Sequence, residues 1–332
     1  MFRPHAVVSV IAALLLAAPA SMARAQAGEA FFPSKFPRKP VRMIVPLAPG
    51  GGSDIVGRIL SVALTDQWGQ SVVVDNRPGA GSTIGTAIAA KAAPDGYTLL
   101  VSSSSIAITP ALFKNLSFDI TKDFAGVTLI ASQPSILAVH PALPVQSVKA
   151  LVAMLKAQPG KYGYGSAGPG SASHLANELF RIVAGVDLMH VPYRSAGLAT
   201  IALLAGEVQL MVTNMATALP QVRSGALRGL AVTGAKRSAL APELPTAAEA
   251  GLPGYEYTTW YGMLAPVAVP RFIVNKVHGD VLRLVRTGSV QERFASQGLE
   301  VHGSAPEQFT VYLKDEIAKW GKVVVAAGIT PE

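Results

Sequence analysis

The stretch Met43-Ile44-Val45-Pro46-Leu47-Ala48-Pro49-Gly50-Gly51-Gly52-Ser53-Asp54, followed by Ile55-Val56-Gly57-Arg58-Ile59-Leu60, decides the fold. It is an apolar strand, a glycine-rich turn and the opening of an amphipathic helix. A second unit has the same order: Tyr162-Gly163-Tyr164-Gly165-Ser166-Ala167-Gly168-Pro169-Gly170-Ser171-Ala172-Ser173-His174, then Leu175-Ala176-Asn177-Glu178-Leu179-Phe180. A helix N-terminus leaves backbone N–H groups without intrahelical partners, and the helix dipole favours an anion there. Two such units in one chain predict a small anion held between two lobes.

Outward from the first unit, strands and helices alternate. Strands are expected at 41–47, 71–75 and 97–101, with helices at 54–68 and 83–93 between them. That β-α-β-α-β order implies a parallel sheet with helices on both faces. The pattern then restarts, with strands at 124–132 and 136–140 and a helix at 147–157 capped by Ser147. The second glycine unit follows, then strands at 187–191, 208–212 and 227–232 and a helix at 196–205. An extended run at 255–264 leads back to three helical patterns at 273–286, 290–297 and 306–327. The expected architecture is α/β, with a discontinuous first lobe (26–132 with 260–332) and a second lobe (133–259). Two crossing segments, near 130–135 and 258–264, would form the hinge. Both glycine loops fall at strand carboxyl ends, where open α/β sheets bind ligands.

Composition narrows the function. The chain has 332 residues, is 50% hydrophobic and only 14% charged, so it can build a large core. It has no cysteine, which removes disulfides, thiolate metal sites and cysteine nucleophiles. Arg3 and His5, the apolar run 6–18 and the small-residue sites Ala23-Arg24-Ala25 or Ala25-Gln26-Ala27 predict a cleaved export signal over about residues 1–25, hence the periplasm. Cleavage after Ala25 removes Arg3 and Arg24 and no acid, which lowers the net charge from +8 to +6. The basic residues are scattered, so no nucleic-acid stripe is expected. No histidine pair has metal-ligand spacing, so neither a metal nor a cofactor is expected.

The loop 48–54 lacks the Gly-Lys-Ser/Thr ending of a P-loop, and its glycine spacing is not that of the dinucleotide fingerprint. Gly163, Gly165 and Gly168 do spell G-x-G-x-x-G, but Pro159-Gly160-Lys161 precedes them where an apolar strand is required. Ser53 or Asp54 is expected to cap the first helix. The candidate ligand-binding residues of the first loop are Ala48, Gly50, Gly51, Gly52, Ser53 and Asp54. Ser103 and Ser104 follow the third strand at the same sheet end. Ser166, Ala167, Gly170, Ser171 and His174 belong to the second loop, and Tyr193 and Asn214 end two further strands. Trp260 and Tyr261 are expected to pack the hinge. The alternative is a serine hydrolase using Ser166 or Ser171 with His174, against which stand the absence of G-x-S-x-G and of a residue assigned to orient the histidine.

The residues also carry a family resemblance. The run Lys39-Pro40-Val41-Arg42 into Met43–Asp54 resembles the opening of the Bug (TctC-like) solute receptors of tripartite tricarboxylate transport systems. Val74-Asp75-Asn76-Arg77-Pro78-Gly79-Ala80-Gly81, Pro94-Asp95-Gly96-Tyr97, His190-Val191-Pro192-Tyr193 and Trp260-Tyr261-Gly262 extend it through the chain in order. The resemblance implies a two-lobed periplasmic-binding-protein fold of type II, the Venus-flytrap kind, with no catalytic activity. It implies a monomer that takes a small carboxylate ligand, gripped by main-chain groups of the two loops and by ordered water. Its partners would be the integral-membrane subunits of a tripartite tricarboxylate transporter, or a sensor protein. The sequence departs at Met211-Val212-Thr213-Asn214, where many relatives place Phe-Asp, and Pro169 removes one N–H from the second loop.

Overall fold

The computed structural model describes residues 36–331, and residues 37–331 lie in one compact unit. The export signal read over residues 1–25 lies outside the described residues.

The first unit forms β1 (Val41–Val45) and α1 (Gly52–Trp68). After β2 (Val72–Asn76) and α2 (Thr83–Ala90) come β3 (Thr98–Ser103), α3 (Ser105–Leu112) and the single turn α4 (Ile120–Asp123). β4 (Phe124–Val139) is 16 residues long. The second half contains α5 (Val148–Ala157), β5 (Gly163–Ser166), α6 (Ala172–Ala184), β6 (Met189–Pro192) and α7 (Ala196–Ala205). It continues through β7 (Leu210–Asn214), α8 (Met215–Arg223) and β8 (Arg228–Val232). The chain returns along β9 (Thr258–Pro266) to α9 (Arg271–Val285), α10 (Gly288–Ser296), the short β10 (Glu300–Val301) and α11 (Pro306–Ala326).

One ten-stranded sheet runs in the order β2-β1-β3-β9-β4-β7-β5-β6, with β8 and β10 also paired to β4. β1, β2 and β3 are parallel, as the alternating pattern requires. β5 is likewise parallel to β6 and β7. β9 and β4 join the two sets, each antiparallel to its neighbours. The consequence is directional. β3 runs the same way as β4, and β7 runs the opposite way, so the carboxyl ends of the two parallel sets point at each other. In register, Ser103 of β3 lies opposite Tyr261, and Tyr261 opposite Ala131 of β4. Asn214 of β7 lies opposite Ser135. The four-residue step along β4 from Ala131 to Ser135, roughly 13 Å of extended chain, separates the two sets of strand ends.

β4 corrects one expectation. Ser132-Gln133-Pro134-Ser135 interrupts the apolar pattern and suggests two strands, yet the strand is continuous through it. Ser132, Gln133 and Ser135 are buried, and distant neighbours meet the Ser132 and Gln133 side chains and the Ser135 backbone, while the Ser135 hydroxyl has no partner among the described residues. Ser132 Oγ lies 2.6 Å from His302 Nε2, Gln133 Nε2 donates to the Gln297 carbonyl at 3.2 Å, and the Ser135 N–H donates to Thr233 Oγ1 at 3.0 Å. The helices α3 and α8 were also unforeseen; each follows a strand directly and contains a proline, Pro110 and Pro220.

The core beside this crossing is aromatic. α11 turns Phe309, Leu313, Glu316, Trp320 and Val323 inward, three to four residues apart, which is one face of a helix. Trp260 packs edge-on to Phe309 with centroids 5.6 Å apart. The indole N–H groups of Trp260 and Trp320 both donate to Glu316 Oε2 at 3.0 Å, so both buried donors share one carboxylate.

Candidate functional site

The first loop is tied to itself through Asp54. Its Oδ2 accepts the Gly50 N–H and Arg58 Nε, both at 2.9 Å, and its Oδ1 accepts Asn76 Nδ2 at 3.0 Å. Burial alone raises the carboxyl's pKa, but the bonds from Arg58, Gly50 and Asn76 prevail and hold it below the ordinary aspartate value. Asp54 is therefore not the N-cap. Gly51 caps α1, and Asp54 closes the turn from inside the helix. Its charge is already matched by Arg58, which lessens its repulsion of a nearby anion.

With Gly50 engaged and the Gly51 N–H directed to the Ala48 carbonyl, the N–H groups of Gly52, Ser53 and Asp54 are left over. None has an acceptor among the described residues. Two hydroxyls nearby in the fold are also unused: Ser53 Oγ and, just beyond β3, Ser104 Oγ are buried and lack a partner. Ser103 Oγ is 3.0 Å from Ser105 Oγ, and the Ser104 N–H is committed to the Trp260 carbonyl. Buried polar groups ordinarily find partners, and a helix N-terminus with open donors is able to meet an anionic acceptor.

Tyr261 joins this group, beyond the hinge packing expected of it. A Cβ built on Gly52 would lie 2.1 Å from the Tyr261 hydroxyl, so that oxygen sits directly over the first residue of α1. The ring is buried, and burial together with the neighbouring Tyr257 raises its pKa, which keeps the phenol protonated and able to donate. The register opposite Ser103 is what places it there. Sequence adjacency to Trp260 gave no hint that alternate residues of β9 face opposite ways, one to the core and one to the α1 terminus.

The second loop is built differently, mostly from internal bonds. Ser171 caps α6 by accepting the His174 N–H at 3.2 Å. The Ala167 N–H donates to Ser173 Oγ, the Gly168 N–H to Ser166 Oγ and the Gly170 N–H to His174 Nδ1. The N–H groups of Ala172 and Ser173 remain without an acceptor among the described residues. This loop therefore offers fewer open donors than the first, and neither Ala167 nor Gly170 has a spare one. His174 is buried, and that burial together with the adjacent His190 lowers its pKa to about 4. It is neutral, with Nδ1 as an acceptor.

The hydrolase pairing does not form. Ser171 Oγ contacts Ser173 Oγ and the His174 backbone, and Ser166 Oγ lies 2.6 Å from Nε2 of His190, not from His174. Among the described residues no carboxylate is hydrogen-bonded to either imidazole. Of the outlying candidates, Tyr193 directs its hydroxyl to Glu207 at 3.3 Å, while Asn214 is exposed at the end of β7 with no side-chain cap bond.

Residues 56–329 match the family described as "Tripartite tricarboxylate transporter family receptor". The chain belongs to this receptor family. BugT of Bordetella pertussis is 37% identical over 295 residues, covering 88% of this chain and 90% of BugT. Among solved structures, an R. palustris protein determined with adipate matches at 35% identity and a TM-score of 0.76, covering 90% of this chain and 100% of that one. MatC from Rhodopseudomonas palustris with bound malate matches at 31% identity and a TM-score of 0.72, covering 87% and 100%. The receptor fold is two-lobed α/β, as the strand alternation led us to expect.

Proposed function

We propose that this receptor captures a small organic acid, of the dicarboxylate kind bound by its adipate and malate relatives, between its two lobes. The carrying observation is the group of unused donors at the start of α1: three N–H groups, two buried hydroxyls and the Tyr261 phenol. None of them has an acceptor among the described residues, which supports a ligand at this end of the sheet. Hydrogen bonds to a charged group contribute about 1.5–3 kcal/mol each. Six of them sum to about 9–18 kcal/mol, a range whose upper part leaves the roughly 8 kcal/mol of micromolar affinity once association costs of about 4 kcal/mol or more are met.

In this reading the lobes divide as 26–132 with 260–332 against 133–259, and β4 and β9 flex between them. Ala48–Asp54, Ser103 and Ser104 form one jaw. Ser166–His174 form the other, with Tyr193 and Asn214 at its margin. The ligand shifts the population toward the closed form, because only that form brings both jaws to the ligand. The protein works in the periplasm after loss of its signal, and its closed form is what a membrane transporter or sensor recognises.

The test is titration of the purified protein with adipate, malate, a monocarboxylate and the corresponding uncharged diesters, read by calorimetry and by melting temperature. An acid at a hundredfold its Kd should add about 2.7 kcal/mol of stability. No response to any acid, or an equal response to the diesters, would refute the anion reading.

A further inference from the structure

His190 lies outside every role assigned so far, yet the second jaw is assembled around it. It lies one pleat short of the strand terminus, and its ring stacks with two others that also face each other, their centroids 6.3 Å apart. The centroid of His174 is 4.0 Å away at an interplanar angle of 12°, and that of Tyr164 is 5.0 Å away on parallel terms. Its Nε2 is 2.6 Å from Ser166 Oγ. Ser166 is fully buried and in turn accepts the Gly168 N–H at 3.0 Å, while His174 accepts the Gly170 N–H at 3.0 Å. Each end of the 166–170 turn is thus held by one member of the imidazole pair. Pro169, between the two anchored glycines, brings no N–H of its own to the turn.

We propose that His190 is a positioning residue for ligand capture: through Ser166 and by stacking on His174 it fixes the second loop and holds His174 as the tautomer with its proton on Nε2. The tautomer follows from chemistry. Nδ1 of His174 accepts an N–H, so it carries no proton, and the neutral ring must carry its proton on Nε2. Nε2 has no hydrogen-bond partner among the described residues, which leaves it as a donor for the ligand side of the loop. Two stacked rings 4.0 Å apart cannot readily both be charged, and the accepting Nδ1 requires His174 to be neutral. The titratable groups facing the pair are Tyr164 on β5 and Glu178 and Arg181 on α6. Glu178 accepts Tyr164 Oη at 2.5 Å and is paired with Arg181 at 2.8 Å, so its charge is largely occupied.

This inference rests on the proposed ligand reading for its consequence but not for its geometry, and the experiment separates the two. The first arm needs no ligand. Nitrogen-15 spectra of the imidazoles in the full chain should show His174 as a single Nε2–H tautomer at pH 7. In His190→Phe, which keeps a stacking ring but loses the bond to Ser166, that signal should move toward the mixture of a solvated imidazole. An unchanged His174 signal overturns the positioning role. The second arm measures the Kd for adipate. His190→Phe should weaken it roughly ten- to a hundredfold, whereas His190→Gln, which can still reach Ser166, should stay much closer to the parent. If His190→Phe folds poorly, Ser166→Ala tests the same link and should raise Kd in the same range. A parent that ignores adipate counts against the ligand reading alone, because the spectra still decide the loop. A parent that binds adipate and a His190→Phe protein that binds it equally well overturn the inference alone.

Discussion

Gly52→Ala puts the site geometry under the most direct strain. The added Cβ would meet Tyr261 Oη at 2.1 Å, Cζ at 2.6 Å and Cε1 at 2.8 Å. Real carbon contacts of this kind sit beyond 3 Å, so something must move by about 1 Å. The Tyr261 ring has little room to swing away, since it is buried with only 5% of its surface exposed. The first turn of α1 must shift instead, and that turn carries the three open N–H groups. Overpacking of this sort costs typically 1–3 kcal/mol. The opposing effect is helix propensity, which favours Ala over Gly by at most ~1 kcal/mol and by less at the first helical position. The steric term therefore wins, and the variant should be less stable by about 1–2 kcal/mol and bind carboxylate more weakly. Gly51→Ala is the control: its new Cβ meets only the Ala48 carbonyl, at an ordinary 3.5 Å, and its φ of −79° suits any residue. Urea unfolding and calorimetric titration of both variants give the answer. A Gly52→Ala protein as stable as Gly51→Ala, with parental affinity, would refute the placement of Tyr261 over the helix terminus.

Three other outcomes follow from the same contacts. Asp54→Asn removes the charged acceptor that gathers Gly50, Arg58 and Asn76 and should loosen the first loop, with a stability loss of about 1.5–3 kcal/mol in urea at pH 7. Because Asp54 titrates below its unfolded value, its contribution is present above that value and disappears as pH falls through the lowered one, so parent and variant should converge only in acid below it. His174, whose pKa is lowered to about 4, binds its proton more weakly folded than unfolded. Stability should be full above the ordinary histidine value near 6.5, decline as pH falls to about 4 and level off below; melting curves of His174→Asn should show a shallower decline. Glu316→Ala strands the buried indole N–H groups of Trp260 and Trp320 and should cost at least about 2 kcal/mol, visible in urea as a lowered midpoint and in the tryptophan emission.

The fold was legible wherever the backbone pattern was periodic. Alternating apolar runs and amphipathic helices located the parallel strands to within a few residues, because burial on both faces leaves a strong signal. Reading failed at β4 for a specific reason. Ser132-Gln133-Pro134-Ser135 has the composition of a turn, and only partners far along the chain, His302, Gln297 and Thr233, allow it to be buried strand. The site divides along the same line. The glycine loop before α1 could be found because a strand–turn–helix is local in sequence. Tyr261 and His190 could not, because each is brought to its loop by strand register: β9 against β3, and β6 against β5. Local spacing also misassigned Asp54, since a carboxylate near a helix start suggests a cap, and the Gly50, Arg58 and Asn76 contacts that show otherwise depend on the folded turn.

The two loops, similar as strings of glycine and serine, are physically unlike. The first is closed by a carboxylate whose charge is matched, and its helix terminus keeps its donors open. The second spends most of its N–H groups on its own serines and on a neutral histidine. With two equally open jaws an anion could dock first on either lobe, and closure would add the other jaw's donors. In the proposed reading, most open donors lie on one side, so the ligand docks first at α1 and recruits the second loop as the lobes approach. The differential affinity that drives closure then resides in the second loop, so substitutions there should alter the coupling between binding and closure more than the initial docking at α1. Scattering measured with and without saturating adipate separates the two: a second-loop variant such as Ser173→Ala should still bind but compact less, whereas equal compaction in variant and parent would place the closing force elsewhere.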